Sequence, residues 1–239
     1  KIFKYLITSL FLLLFLFIIY DELYNKKRYK DLLNEFSEKY NYQLESYEIN
    51  TIYRVEKSEI SKIINKYIGQ SIFLISLNEI SDEINNLKWV KGVNLSSNLN
   101  NKIKVEILEY EPVGLYLYNN QFFYFSKEGK VIDKGRAKLD EKFIIFSGKN
   151  VLNNALQLLE IIDNVKHPEL IKIKEAYYIS DRRWDLKFLN QIIVFLSEKN
   201  IESSLINYIK LIKQLKESEI LSIESIDLRN NKKAILNFE

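Results

Sequence analysis

No cysteine and no methionine occur among the 239 residues, and histidine occurs once. The missing thiols exclude disulfides, thiolate nucleophiles and zinc–thiolate sites, and they leave the compartment open. A lone imidazole, His167, has no partners with which to build a metal site or a triad. Its place directly before Pro168 reads as a surface turn. The six glycines form no phosphate-cradling loop, and neither a G-x-S-x-G elbow nor a metal-ligand spacing is present. The absence of methionine leads to the expectation that further residues precede Lys1.

Charge of one sign is also missing. Apart from Lys1 and Lys4, thirty-three basic side chains stand against thirty-two acidic ones. A nucleic-acid partner needs a basic stripe, so none is expected. What is abundant is apolar and aromatic side chain, at 47% and 13% of the chain, enough to bury a substantial core and to exclude global disorder.

The longest apolar run is Tyr5 to Tyr20, without a charge; counted from Ile2 with Lys4 snorkelling, it reaches 19 residues, within the roughly 17–25 that a bilayer helix requires. A cleaved signal peptide has a shorter core, about 7–15 residues, followed by a small-x-small site. Asp21-Glu22-Leu23-Tyr24 offers no such site, so an uncleaved single-pass anchor is expected. Lys26, Lys27, Arg28 and Lys30 follow the span while Lys1 and Lys4 precede it; with residues expected upstream, the positive-inside rule leaves the orientation open. Leu32, Leu33, Phe36 and Tyr40 recur at helical spacing, so residues 23–43 read as a helical stalk.

Beyond the stalk, Leu44 to Ile52 reads as a strand. Ser58 is placed to cap a helix with Ile60, Ile63, Ile64, Tyr67 and Ile68 as its stripe, stopped by Gly69. Ser76 and Glu79 have the spacing of a capping box, ahead of Ile80, Ile84 and Leu87. Val90/Gly92/Val93/Leu95 and Ile103/Val105/Ile107 then alternate on either side of a polar connection, as an antiparallel hairpin does. It ends at Glu109-Tyr110-Glu111-Pro112.

That β-α-α-β-β order resembles a POTRA domain. With Lys88-Trp89-Val90-Lys91 after the second helix and Glu109-Tyr110-Glu111-Pro112-Val113 closing the last strand, it resembles more narrowly the POTRA domain of the FtsQ/DivIB family. Lys88 stands where the family carries proline, Ser96 for its arginine, Asn100 for an inner proline and Gly114 for an alanine.

Residues 115–125 read as a second hairpin, turned at Asn119-Asn120, with a further strand at Val131 to Asp133 and a short one at Phe143 to Phe146. The aromatic cluster of this hairpin reads as sheet packing rather than a ligand platform. A helix is expected over Val151 to Val165 with Leu152, Leu156, Leu159, Ile161 and Ile162 inward, then strands over Ile173 to Ser180 and over Trp184 to Phe188 continuing into Ile192 to Leu196. Ser203 is expected to open a helix, and Ile223 to Leu228 and Ala234 to Phe238 are expected as closing strands. Lys174-Glu175-Ala176, Arg182 through Leu186, the helix at 203–216 and Ile226-Asp227-Leu228-Arg229 follow in the order of the family's β domain.

The expected architecture is therefore α+β: a cytoplasmic stub and transmembrane helix (1–22), a stalk (23–43), a β-α-α-β-β POTRA domain (44–113) and a mostly antiparallel β domain with two flanking helices (114–239). The acids, among them Glu106/Glu109/Glu111, Asp181/Asp185 and Glu217/Glu219/Glu224, read as solvated faces rather than catalytic pairs. No catalysis, cofactor or small-molecule substrate is expected, and Asp227 and Arg229 read as a structural ion pair or as hydrogen bonding at the turn. The final strand is a candidate sheet edge. The resemblance implies a non-catalytic inner-membrane scaffold at the division septum, with the bulk of the chain periplasmic, recruiting the FtsB/FtsL pair, FtsB docking by strand addition. By position it implicates Arg182 or Arg183, Asn230, Lys232, Ala234, Leu236 and Phe238. A POTRA-type assembly factor for outer-membrane or secreted proteins is the competing reading; it requires further POTRA repeats or barrel strands, which the sequence lacks. A membrane-anchored hydrolase is a third reading.

Overall fold

A computed structural model describes residues 2–98, 101–136, 142–230 and 232–238, with residues 2–9 and 22–25 described by their backbone alone. Lys1, Asn100 and Asn231 lie outside the described residues. The chain divides into two compact units, Lys1–Glu109 and Tyr110–Glu239.

The first unit begins with α1 (Ile2–Tyr40), an uninterrupted 39-residue helix that joins the expected stalk to the apolar run. Side chains of the run are described from Leu10 onward, and among the described residues no helix is long and apolar enough to cross a membrane. There follow β1 (Ser46–Ile49), α2 (Lys57–Ile64) with a 3-10 turn at Asn65–Tyr67, α3 (Leu77–Asn85), β2 (Val90–Ser97) and β3 (Lys102–Glu109). The sheet order is β1-β3-β2, with β1 parallel and β2 antiparallel to the central β3. This is the β-α-α-β-β order expected.

Alternation in β3 works as read: Ile103, Val105 and Ile107 are buried against Leu44, Ile60, Ile64, Ile80 and Ile84. The break in β2 between Val90 and Gly92 is a β-bulge, which explains why Gly92 and Val93 interrupt the period of two. Strand β1 is shorter than Leu44 to Ile52. It stops where Asn50 turns its side chain into the ladder, its Nδ2 donating to the Ile107 carbonyl at 3.0 Å and its Oδ1 accepting from the Ile107 amide at 2.8 Å. The cap of α2 also differs from expectation. Glu56, extended at φ −74°, ψ 121°, precedes the helix without a side-chain cap, and Ser58 lies inside it with its Oγ on Glu56 Oε2. Ser76 does cap α3, accepting from the Glu79 amide, and Gly69 takes φ +81°.

The second unit runs β4 (Pro112–Tyr118), β5 (Gln121–Ser126), β6 (Val131–Lys134), β7 (Ile145–Ser147), α4 (Val151–Val165), α5 (Pro168–Ile171), β8 (Ile173–Ile179), β9 (Arg183–Phe188), β10 (Ile193–Phe195), α6 (Ile201–Gln214), α7 (Glu217–Leu221), β11 (Ile223–Asp227) and β12 (Ile235–Phe238). Nine strands form one sheet in the order β12-β11-β10-β9-β8-β7-β4-β5-β6. Five neighbours pair antiparallel; β4/β7, β7/β8 and β10/β11 pair parallel. Two of the parallel pairs need crossovers, and α4 and α6 supply them.

Both helices lie on one face. Val151, Ala155 and Leu158 of α4 and Leu205, Tyr208 and Ile209 of α6 share a core with Trp184, Leu186, Val194 and Ile226. Of the stripe expected in α4, Leu152, Leu159, Ile161 and Ile162 pack partly buried against this core, and the fully buried positions beside them are Val151, Ala155 and Leu158. Strand propensity alone merged β9 and β10. A turn at Asn190-Gln191, with Gln191 at φ +70° and neither glycine nor proline to mark it, separates them. Asn200 rather than Ser203 caps α6, its Oδ1 accepting from the Ser203 amide at 3.2 Å. Likewise His167 is the cap of the unexpected α5, its Nδ1 accepting from the Glu169 amide. The Asn119-Asn120 turn adopts φ +48° and +59°, as a type I′ hairpin requires.

Candidate partner-docking edge

Because side chains alternate across a strand, the face opposite α4 and α6 is set once the core is known. The strand registers align Tyr177, Asp185, Phe195, Asp227 and Ile235 as one row across β8, β9, β10, β11 and β12. Among the described residues, α4 and α6 pack on the opposite face, with Trp184, Leu186, Val194 and Ile226. The row is neither wholly apolar nor wholly charged, and its charges are held in place by their neighbours.

Asp227 is gripped by Arg229, whose Nε lies 2.9 Å from Oδ1 and whose second guanidinium nitrogen lies 2.5 Å from Oδ2, while the Arg229 amide donates to Oδ1 at 3.0 Å. The side-chain bond from Arg229 is the main reason the Asp227 carboxyl titrates below the ordinary carboxylate range, burial opposing it. The ion pair expected of these two residues is therefore present. Asp185 is the contrasting case. Its partner Arg183 Nε sits at 3.3 Å, and burial outweighs that contact, so the carboxyl is pushed up. On the neighbouring strand burial and the bond to Glu175 push the Tyr177 phenol up to about 12.

At the sheet's end stands β12, bonded to β11 through Asp227↔Ile235, Ile226↔Leu236 and Ser225↔Asn237. Its other long side pairs with no strand among the described residues. The residues singled out from the sequence fall into two groups. Leu236 packs on the core, whereas Ala234, Lys232 and Phe238 are exposed, and Asn230 Oδ1 accepts from the Lys232 amide at 2.9 Å in the turn before the strand. Arg182 and Arg183 belong elsewhere, at the β8–β9 turn. With Arg229, Lys199, Glu198, Leu196 and Ser197 they line a cleft of about 350 Å³. Arg182 reaches Glu198 at 4.0 Å.

Arg229 and Lys199 escaped the sequence reading, the first because it looked purely structural, the second because no periodicity marks it. Other acids considered for chemistry have structural tasks: Glu106 pairs with Lys104 at 2.6 Å, and Glu219 accepts from the Lys216 amide at 2.7 Å.

Comparison with known proteins bears on both units. The model of the FtsQ-type POTRA domain matches residues 44–110, and that of the cell division protein FtsQ/DivIB C-terminal domain matches residues 115–229. The cell division protein FtsQ of Rickettsia bellii is 30% identical over 194 residues, 80% of this chain and 71% of its own. That of Rickettsia typhi is 29% identical over 201 residues, 83% of this chain and 74% of its own. The major extracytoplasmic domain of DivIB from Geobacillus stearothermophilus aligns with 46% of this chain and 99% of its own at 13% identity, with a TM-score of 0.31 that supports no inference about fold. Two domain models in the family's order, joined to relatives matched over most of their length, make this chain a member of the FtsQ/DivIB family of cell division proteins.

Proposed function

We propose that this chain is a non-catalytic, single-pass scaffold of the division machinery, and that the free side of β12 takes up a strand from FtsB, with FtsL recruited alongside. The observation that carries the reading is the place of β12 at the end of the nine-stranded sheet. A strand there presents a row of backbone donors and acceptors that a partner strand completes. Ile235 and Asn237 face one way and Leu236 and Phe238 the other, so an added strand meets apolar side chains on both faces. The cleft around Arg182 and Arg183, at β9 three strands in from β12, supplies positive charge on the same sheet.

Residues 1–22 are assigned to the cytoplasmic stub and anchor, 23–43 to the stalk, 44–113 to the POTRA domain and 114–239 to the β domain, with everything after the anchor in the periplasm at the septum. The exposed apolar side chains from Leu10 to Tyr20 support the anchor. Protease added to spheroplasts should digest residues 40–239, and protection of that region would overturn the orientation.

Docking has a sharper test. Successive residues of an antiparallel strand direct their amides alternately toward and away from the neighbour. One of Leu236→Pro and Asn237→Pro therefore removes an outward donor, and the other breaks the ladder to β11. The outward variant should stay folded with the ladder to β11 intact, at a cost in melting temperature if it is Leu236 that leaves the core, and should lose about tenfold or more in affinity for FtsB. Unchanged binding by both variants would refute docking at this edge.

A further inference from the structure

The outer half of α1 carries a stripe that the fold leaves uncovered. Tyr29, Leu32, Phe36 and Tyr40 recur at intervals of three and four, hence on one face, and are 62%, 57%, 45% and 55% exposed. Ser37, beside the stripe, is fully buried and shares a 2.6 Å hydrogen bond with Ser71. The POTRA unit thus grips the helix along one flank and leaves the stripe open. At its far end the stripe widens. The Phe36 ring lies 4.8 Å from Tyr40, 5.7 Å from Tyr42 in a stacked arrangement and 6.4 Å from Phe73, itself 43% exposed. Contiguous exposed aromatic surface of this kind marks an interaction site.

The occupant follows from position and charge, given the reading of residues 2–20 as the anchor, on which this inference rests. A helix rises 1.5 Å per residue, so Phe36 stands about 24 Å along the axis from Tyr20, far outside the headgroup layer, which is only some 5–8 Å thick. Lipid therefore does not cover it. A second copy of the chain is disfavoured too. Arg28, Lys30 and Lys39 flank the stripe against Glu35, and parallel copies would bring like charges together.

We infer that the stripe seats a helix of a different membrane-anchored protein, one that rises from the same bilayer parallel to α1 with acidic residues flanking its apolar seam. Packing would be of the helix-in-groove kind, anchored at three- and four-residue intervals.

The test places a photoreactive benzoylphenylalanine in the full chain, in the envelope of its own bacterium, at Tyr29, Leu32 or Phe36 and, for comparison, on the opposite face at Lys27, Asp31 or Glu38. Adducts from the stripe should exceed those from the other face by about tenfold, as burial of central aromatic anchors implies. They should join one membrane protein at a peptide within the first five or six turns after its apolar span, with acids among the flanking residues. Leu32→Lys, at an exposed position, should keep the melting temperature and abolish the Tyr29 adduct. Adducts only to a second copy or to lipid, equal yields from both faces, none at all, or an adduct unaffected by Leu32→Lys would each overturn the inference. Release of the chain by alkaline carbonate would overturn the anchor itself. Retention in the membrane without stripe-specific adducts would sink the partner helix alone and leave docking at β12 standing.

Discussion

Phe146→Ala is expected to lower the unfolding free energy of the second unit by about 3–5 kcal/mol. Phe146 is fully buried, meets Phe125 edge-on at 5.4 Å and Trp184 edge-on at 5.9 Å, and sits on β7 where the sheet switches to parallel pairing. Its ring and that of Phe125 lean over Gly114, where an added Cβ would stand 2.7 Å from Phe125 and 2.9 Å from Phe146. This explains why glycine occupies a position at which the family carries alanine. Urea unfolding should move by about 1–3 M at its midpoint, followed through Trp184 in a Trp89→Phe background. Gly114→Ala should also destabilise the native chain, and less so once Phe146→Ala has opened space, a coupling that a double-mutant cycle would reveal. Strict additivity would mean that the three residues do not share a packing constraint.

Glu109→Ala is expected to cost the POTRA unit about 1.5–3 kcal/mol, the range for hydrogen bonds to a charged group. The Glu109 carboxylate accepts from three successive amides, Tyr53 at 2.9 Å, Arg54 at 2.8 Å and Val55 at 2.6 Å, and so ties the segment before α2 to the end of β3. Burial works to raise this carboxyl, yet the three amide bonds outweigh it and hold it below the ordinary value. For a depressed acid, the stabilisation is fully present above the unfolded group's titration range and disappears as pH falls through the folded value. The wild-type unit should accordingly lose stability on acidification below about pH 4, where unfolded glutamate titrates, and Glu109→Ala should flatten that slope. Glu109→Gln, with no carboxyl to titrate, should flatten the slope equally, while its stability at neutral pH should lie between wild type and Glu109→Ala, since one oxygen still accepts while the amide nitrogen faces a donor. An unchanged acid slope in Glu109→Ala would assign the dependence to other depressed carboxylates of this unit, Glu48 and Glu106.

How much of this was legible depends on range along the chain. The β2–β3 hairpin, the Asn119-Asn120 turn and the bounds of α4 were readable because alternation, turn chemistry and helical period are local. The bulge at Gly92 and the Asn190-Gln191 turn were not, since nothing but their neighbours' pairing identifies them. Ser58 and Ser203 were plausible caps by residue type, but α2 opens after Glu56 with no side-chain cap and α6 after Asn200, because the first helical turn begins earlier than the serines. The edge status of β12 depends on the order of nine strands and has no signature in its own residues. The same holds for Glu109, whose amide partners lie 54 to 56 positions away, and for the row that brings Asp185, Phe195 and Asp227 side by side.

The parallel pairing of β1 with β3 has a mechanical corollary. Tension transmitted through α1 enters β1 at its N-terminal end, and tension transmitted to the second unit leaves β3 at its C-terminal end. In parallel strands these are opposite ends, so the ladder from Ser46↔Lys102 to Ile49↔Val105 is sheared rather than peeled, all its bonds sharing the load at once. Rupture under force is governed by the unfolding rate rather than by equilibrium stability. A pull applied between α1 and the end of β3 therefore loads the POTRA sheet in its shear geometry.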